Sequence, residues 1–139
     1  MMTPSNALLT EPEFLTVDDV LGLHAVQLTR YGGAGGLRDR ALLEAAMAQP
    51  MASFGGPCLH PDLWSMAVAY LYHLVQNHPF IDDNKRTGLL SALVFLALNG
   101  ILIDQTTPAL YDLTMAVAAG RLDKSAIAVA LRQAASPPG

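Results

Sequence analysis

The chain has 139 residues, a formal net charge of −4, a hydrophobic content of 52% and only 14% charged residues. This length predicts a single domain over residues 1–139, with a core large enough to need neither a disulfide nor a structural metal. The acidic balance disfavours direct binding to nucleic acid, which usually requires a basic face. The longest apolar run, Leu89 to Leu98, is about half the roughly 20 residues that a bilayer requires, so it predicts a core helix and no membrane contact.

The ends and the cysteine content indicate where the protein works. The first residues lack a basic segment followed by a long apolar one, so they do not resemble a signal peptide. The single cysteine, Cys58, excludes an intramolecular disulfide and favours a reducing cytoplasm. Residues 1–13 and 135–139 are predicted to be loose termini.

Helix signals begin at Thr16, which is an expected N-cap with Asp19 at the capping-box position. This first helix should end near Tyr31, because four glycines follow between residues 32 and 36. A second helix should begin at Asp39 and be closed by Pro50, since proline interrupts a helix interior.

Residues 51–60 are predicted to form a flexible loop. Its glycines and an exposed Phe54 make it a candidate surface for docking a target protein, although a plain connector fits equally well. A third helix should begin at Pro61 and stop near Asn77, because the residue before a proline resists helical geometry.

The remaining helices are predicted at residues 84–99, 108–120 and 124–134, with a short extended piece over residues 101–107. The fourth helix is polar as far as Thr87 and then apolar on every face, which predicts burial at the centre of the domain. With little strand signal and no internal repeat, the sequence predicts an all-α protein, a compact six-helix bundle.

The stretch "NHPFIDDNKRTG", residues 77–88, gathers polar side chains between the third and fourth helices. A helix N-terminus carries unpaired N–H groups and partial positive charge, so it attracts anions. Asn84, Lys85 and Arg86 stand at that end, and lysine and arginine are both phosphate-binding side chains. The stretch therefore predicts a phosphate site at the tip of a buried helix.

Other residues of this stretch supply groups for phosphoryl or nucleotidyl transfer. Asp82 and Asp83 are candidate Mg²⁺ ligands beside the phosphates, and His78 could take a proton from an attacking hydroxyl. From spacing alone an ordinary alternative stays open, in which the aspartates cap the fourth helix and His78 only faces the dipole of the third. His24, His60 and His73 are interpreted as structural or surface residues, because no zinc-binding spacing joins them.

The nine residues "HPFIDDNKR" resemble the motif of the Fic/Doc superfamily, and Lys85 is typical of its Doc branch. The stretches "RYGGAGGLRDRALLEAAMAQP", "NKRTGLLSALVFLALNG" and "YDLTMAVAAG" are also similar to Doc proteins in the same order. The resemblance implies a helical bundle whose motif loop joins two central helices. It also implies site roles: His78 as catalytic base, Phe80 as the apolar anchor of the loop, Asp82 for Mg²⁺, and Asn84, Lys85 and Arg86 for phosphate.

The resemblance implies the toxin of a toxin–antitoxin pair, a kinase that moves the γ-phosphate of ATP to a threonine of elongation factor Tu and is neutralised by a Phd-type antitoxin. Fic proteins proper transfer AMP instead; they have glycine where this chain has Lys85 and often arginine where it has Leu89, so both residues favour the kinase. Asp83 departs from the family's small residue. Protein nucleotidyl transfer and a catalytically silent binding module remain alternatives.

Overall fold

The computed structural model describes residues 12–55, 62–104 and 108–135. These residues form six helices, α1 Val17–Tyr31, α2 Arg40–Gly55, α3 Leu63–Asn77, α4 Asn84–Leu98, α5 Pro108–Ala118 and α6 Lys124–Ala135. Over the same ranges the only β pairing is an isolated bridge between Leu37 and Phe80. The predicted all-α six-helix architecture is therefore confirmed. Within the described residues, no helix has both the length and the apolar character needed to cross a bilayer.

Local side-chain hydrogen bonds stabilise the starts of α1, α2 and α3. At α1 the Thr16 hydroxyl accepts from the Asp19 N–H at 3.0 Å and the Asp19 carboxylate accepts from the Thr16 N–H at 2.8 Å, so the predicted capping box is confirmed. Asp39 accepts from the Leu42 N–H at the start of α2. Asp62 caps α3 by accepting from the Trp64 N–H. Each start is explained by a short polar residue that satisfies otherwise unpaired N–H groups.

The centre of the domain is the pair α3 and α4, which pack along each other. Small residues of α4, among them Gly88 and Ser91, lie buried in this packing. A Cβ added to Gly88 would lie 3.0 Å from Cγ2 of Val75 and 3.3 Å from the carbonyl oxygen of Leu71. Because glycine has no side chain, the two helix backbones approach closely and form a rigid base for the loop that joins them.

The expected position of α4 at the centre of the domain is confirmed, but the expectation that it is buried on every face after Thr87 is wrong. Its buried face includes Thr87 and Ser91, whereas Leu89 and Leu90 are half-buried and the Leu98 side chain is 48% exposed. Close packing against α3 requires small side chains, so the larger leucines lie on other faces. This arrangement leaves an apolar wall of α4 available beside the motif.

Pro50 does not close α2, contrary to the sequence prediction. The helix continues through it to Gly55, and Pro50 itself is buried. An interior proline removes one backbone hydrogen bond, and burial of its apolar ring offsets part of that cost. The predicted loop over residues 51–60 is therefore wrong for residues 51–55, and residues 56–60, with Cys58 and His60, lie outside the described residues, as does Pro61.

The described end of the N-terminal segment is attached to the bundle. The Glu13 N–H donates to Oδ1 of Asn99, whose Nδ2 donates back to the Glu13 carbonyl oxygen. The Leu15 N–H donates to the buried hydroxyl of Tyr70 at 2.9 Å. The predicted loose arm therefore does not extend to residue 13, and residues 1–11 and 136–139 lie outside the described part, as do residues 105–107 of the predicted extended piece.

Candidate active site

The loop between α3 and α4 has an unusual backbone at both of its ends. His78, the C-cap of α3, has φ 49°, and Asp83, which precedes α4, has φ 64°. Residues other than glycine seldom adopt this left-handed conformation, which costs free energy and persists where surrounding contacts impose it. The loop is therefore a shape that the rest of the domain holds in place.

Asn84 binds the loop from inside. Its side-chain oxygen accepts from the Phe80 N–H at 2.9 Å, and its side-chain nitrogen donates to the Phe80 carbonyl oxygen at 2.9 Å. The residue is 8% exposed. Both halves of the amide are thus used by one residue of the loop, so any phosphate at this position would meet the backbone N–H of Asn84 and not its side chain.

A segment before α2 holds the loop from outside. The Arg38 guanidinium donates to the carbonyl oxygens of Asn77 at 2.8 Å and His78 at 2.6 Å. The Pro79 carbonyl oxygen accepts from the N–H groups of Arg38 and Asp39, and the Ile81 N–H donates to Gly36. These bonds satisfy carbonyl groups that the end of α3 would otherwise leave unpaired.

His24 of α1 supports the loop from a third side. Its ring stacks on the Phe80 ring, with centroids 3.8 Å apart and planes 9° apart, and its Nε2 lies 2.9 Å from the Asp82 carbonyl oxygen. His24 and Phe80 are 5% and 2% exposed. The structural interpretation of His24 is thereby confirmed, and its position gives the loop a buried aromatic base.

The Asp82 carboxylate rests on the glycine-rich turn after α1. Its two oxygens accept from the N–H groups of Ala34 at 3.3 Å and Asp83 at 2.8 Å. Gly33, with φ 116°, lies against it, and a Cβ at that position would be 2.9 Å from Oδ2 of Asp82. Only glycine satisfies both the backbone angle and this close approach. Asp82 is exposed, so the carboxylate keeps lone pairs directed to solvent.

A cleft of about 600 Å³ opens over the loop and over α4. One end is lined by polar side chains, namely Gln27, Arg30, His78, Asp82, Lys85 and Arg86. The other end is apolar and is lined by residues of α4 and α5, namely Leu89, Leu90, Leu93, Leu110, Tyr111 and Met115. A concave site with an apolar wall and a few convergent polar groups is typical of small-molecule binding.

The polar end of the cleft contains the N-terminus of α4. Asp83 precedes the helix but makes no side-chain cap, so the first-turn N–H groups of the helix are not satisfied by it. Lys85 is exposed there, and Arg86 forms an ion pair with Asp83 at 3.1 Å while its guanidinium lies 4.2 Å from the centre of the Tyr31 ring. Helix dipole, ammonium and guanidinium together make this end attractive to anions.

His78 faces the same cleft from the end of α3. The residue is exposed, and its ring makes no hydrogen bond to the rest of the described chain, while its backbone is held through Arg38. A ring that is free to turn on a fixed backbone can reach a proton donor brought into the cleft. His78, Asp82, Lys85 and Arg86 are therefore brought together, as the sequence predicted they would be.

Some residues around the site could not be identified from the motif. His24, Arg38 and Gly36 support the loop although they lie 40 or more residues before it, and Arg30 and Tyr31 line the cleft from α1. Only the glycine cluster at residues 32–36 offered a local signal. The backbone of Phe54 lies in α2, and its side chain lies outside the described residues, so the docking surface predicted there stays a prediction.

Sequence comparison agrees with this architecture. The model of the Fic/DOC family matches residues 14–96, which include α1 to α3, the motif loop and most of α4. The chain belongs to the Fic/DOC family.

Two relatives place the chain within the family. It is 34% identical over 119 residues to the protein kinase doc of Escherichia phage P1, a match that covers 86% of this chain and 93% of that protein. It is 40% identical over 89 residues to toxin Doc of Mycolicibacterium smegmatis, covering 64% of this chain and 66% of that protein. The predicted membership of the Doc branch is confirmed.

Proposed function

We propose that this chain is the toxin of a toxin–antitoxin pair and a protein kinase that transfers the γ-phosphate of ATP to a threonine hydroxyl of elongation factor Tu, which stops translation. The observation that carries the proposal is the convergence of the His78 ring, the Asp82 carboxylate and the uncapped N-terminus of α4 in one cleft. The printed names of the two relatives, a protein kinase and a toxin, support the same function.

The phosphates of ATP would bind at the N-terminus of α4. Backbone N–H groups, the Lys85 ammonium and the Arg86 guanidinium would contact the phosphate oxygens and stabilise the charge that develops during transfer. The Asn84 side chain contributes indirectly, because its bonds to Phe80 hold the loop in the shape that exposes those N–H groups. Phe80, buried against His24, anchors the same loop.

His78 is the proposed general base. The threonine oxygen would attack the γ-phosphorus while His78 accepts the hydroxyl proton, and the bond between that phosphorus and the bridging oxygen would break to release ADP. The target would gain the phosphoryl group, and the kinase would be regenerated once His78 releases the accepted proton to solvent. A positioned base of this kind contributes roughly 10²–10⁴-fold to rate.

The residues at the polar end fit a magnesium ion. Mg²⁺ is usually held by one or two carboxylates together with substrate phosphates and waters, and the exposed Asp82 carboxylate provides such a ligand beside the phosphate site. Across the described part of the chain, no group of three or more histidine, cysteine, aspartate or glutamate residues could hold a metal without phosphates. When bound, Mg²⁺ would neutralise charge on the phosphate oxygens.

Two cleft residues favour phosphate transfer over AMP transfer. Lys85 places a side chain where Fic proteins have glycine, and Leu89 presents an apolar surface to the cleft where those proteins often have a second arginine. A triphosphate bound in the orientation needed for AMP transfer would thus lose one close backbone approach and one guanidinium.

The experiment uses the full chain, Mg²⁺, elongation factor Tu and ATP labelled on either the α or the γ phosphate. We expect label on elongation factor Tu from the γ position only. Label from the α position alone would contradict the kinase activity and indicate protein nucleotidyl transfer. Label from neither position, together with toxicity on expression that survives His78→Ala, would indicate a catalytically silent binding module.

The proposed partners follow from the same function. A cognate Phd-type antitoxin would neutralise the toxin by folding a disordered segment onto it, and the substrate would be met in the bacterial cytoplasm. Direct binding to nucleic acid or to a membrane forms no part of the proposal, in keeping with the net charge of −4.

A further inference from the structure

Asp83 is the polar motif residue to which the proposed kinase chemistry gives no role. Its side chain is only 5% exposed, and one oxygen, Oδ1, accepts from the Arg86 guanidinium at 3.1 Å. The other oxygen, Oδ2, is buried and has no hydrogen-bond partner among the described residues. A buried carboxylate oxygen without a partner is costly, so this arrangement requires an explanation beyond packing.

The position of Asp83 makes its orientation more informative. An aspartate just before a helix normally accepts from the N–H groups of the first turn. Asp83 does not do so; its backbone has φ 64°, and its side chain is directed to Arg86. The N–H groups of α4 are consequently left for another acceptor, while the neighbouring guanidinium is already occupied.

Arg86 is contacted from a second side by Tyr31. The guanidinium carbon lies 4.2 Å from the centre of the Tyr31 ring, a cation–π distance, and both residues line the cleft. Asp83 thus engages the edge of the guanidinium and Tyr31 its face. A bound anion that displaced the Asp83 carboxylate from Arg86 would break the first contact without requiring the loss of the contact with Tyr31.

We propose that Asp83 is a built-in competitor for Arg86. Its carboxylate occupies the guanidinium until the phosphate chain of a nucleotide displaces it, and Tyr31 keeps the guanidinium at the site during the exchange. The inference rests on the proposed function, because it takes a nucleotide phosphate chain as the displacing anion. Asp83 acts through Arg86 and is therefore a positioning residue that lowers phosphate affinity and makes occupancy of the site depend on a strongly charged ligand.

The test compares the full-length wild type with Asp83→Asn by titrating inorganic tripolyphosphate, without metal, in a calorimeter. Asparagine has nearly the shape of aspartate and tolerates the left-handed backbone. We expect roughly tenfold tighter binding by the variant. A guanidinium released from its carboxylate can make a charge-assisted hydrogen bond to the phosphate, and the free energy of such a bond corresponds to about a tenfold change in affinity. Asp83→Ala should also bind tripolyphosphate more tightly than wild type. Thermal melts show whether each variant folds.

A double-mutant cycle separates competition for Arg86 from a general effect of removing negative charge. In an Arg86→Gln background, Asp83→Asn should no longer tighten tripolyphosphate binding. An undiminished gain in that background would overturn the inference, and so would equal affinities of wild type and Asp83→Asn, including the case in which neither binds. Binding that is measurable only after Asp83→Asn would support it.

The outcome is independent of the labelled-ATP experiment. If Asp83→Asn binds tripolyphosphate more tightly but no label is transferred, the proposed kinase activity is rejected and the competition of Asp83 for Arg86 is retained. If γ-label is transferred but Asp83→Asn and wild type bind tripolyphosphate equally, the competition of Asp83 for Arg86 is rejected and the proposed kinase activity is retained.

Discussion

At the scale of single residues, the motif divides into side chains that hold the loop and side chains that face the cleft. Asn84 and Phe80 are buried and contact the loop or its support, whereas His78, Asp82 and Lys85 are exposed. The two groups alternate within eight residues. Substitutions in the first group should therefore act through stability, and those in the second through ligand binding and transfer.

His78→Asn should slow transfer strongly and leave folding intact. Asparagine tolerates the left-handed backbone that His78 adopts at φ 49°, so this variant removes the imidazole without the strain that alanine would add. If His78 is the base, the transfer rate should fall by roughly 10²–10⁴-fold, measured with γ-labelled ATP. Circular dichroism melts provide the folding control, and an unchanged rate would reject His78 as the base.

Asn84→Ala and Lys85→Ala form a matched pair one residue apart. Loss of the Asn84 amide leaves the buried N–H and carbonyl groups of Phe80 unpaired, which should lower the free energy of unfolding by about 2–4 kcal/mol. Lys85 is exposed, so its removal should change stability by less than about 0.5 kcal/mol while weakening ATP binding. Urea denaturation measures the stability of both variants, and equal stabilities would contradict the internal role of Asn84.

At the scale of helices, boundaries that depend on local hydrogen bonds were predictable and boundaries that depend on burial were not. The start of α1 at Thr16 follows from a capping box that is complete within four residues. The end of α2 does not follow from Pro50, because the buried proline lies within a helix that runs on to Gly55. Helix propensity predicts a boundary poorly where tertiary packing stabilises the helix by more free energy than the loss of one hydrogen bond costs.

Gly88→Ala should destabilise the contact between α3 and α4. The added methyl group would lie 3.0 Å from Cγ2 of Val75 and 3.3 Å from the backbone oxygen of Leu71, and a backbone atom cannot move aside cheaply. Overpacking of this kind costs about 1–3 kcal/mol. Denaturant titration should show the loss, and the loop should retain its shape less well because both of its ends are attached to these helices.

Gly22→Ala is the control for Gly88→Ala, since Gly22 is an exposed residue of α1 with no atom within 4 Å of an added Cβ. Replacement of glycine by alanine in an open helix position should stabilise the protein by about 0.5–1 kcal/mol. Equal effects of the two substitutions would show that the α3–α4 contact is less close than the distances indicate.

At the scale of the whole molecule, α3 lies at the centre and its contacts extend to both ends of the described chain. Tyr70 accepts from the Leu15 N–H, and His73 contacts Lys124 at the start of α6, with Nζ and Nε2 2.9 Å apart. Burial, the larger cause, and the nearby Lys124 ammonium lower the pKa of His73 to about 4. The contact between α3 and α6 is therefore made by a neutral histidine.

The protein should lose stability through His73 on acidification. Between pH about 6.5 and about 4 the unfolded chain protonates His73 and the folded chain does not, so the free energy of unfolding falls as the pH falls through this window. Because the side chain is half-buried, screening limits the effect to about 1–2 kcal/mol. Urea titrations at pH 4.5 and 7.5 should show a smaller acid loss for His73→Gln than for wild type; equal losses would contradict the prediction.

The sequence by itself determined the all-α class, the helix starts and the chemical content of the motif, because these depend on residues within one helical turn of each other. Tertiary structure alone decided how the motif is held. His24 lies 58 residues before the Asp82 carbonyl oxygen that it contacts, and Arg38 lies 40 residues before His78. Such contacts depend on which helix faces pack together, and no local pattern encodes that. The same packing turns Asn84 inward to Phe80 and directs Asp83 to Arg86, so neighbouring polar residues with similar chemistry acquire different roles.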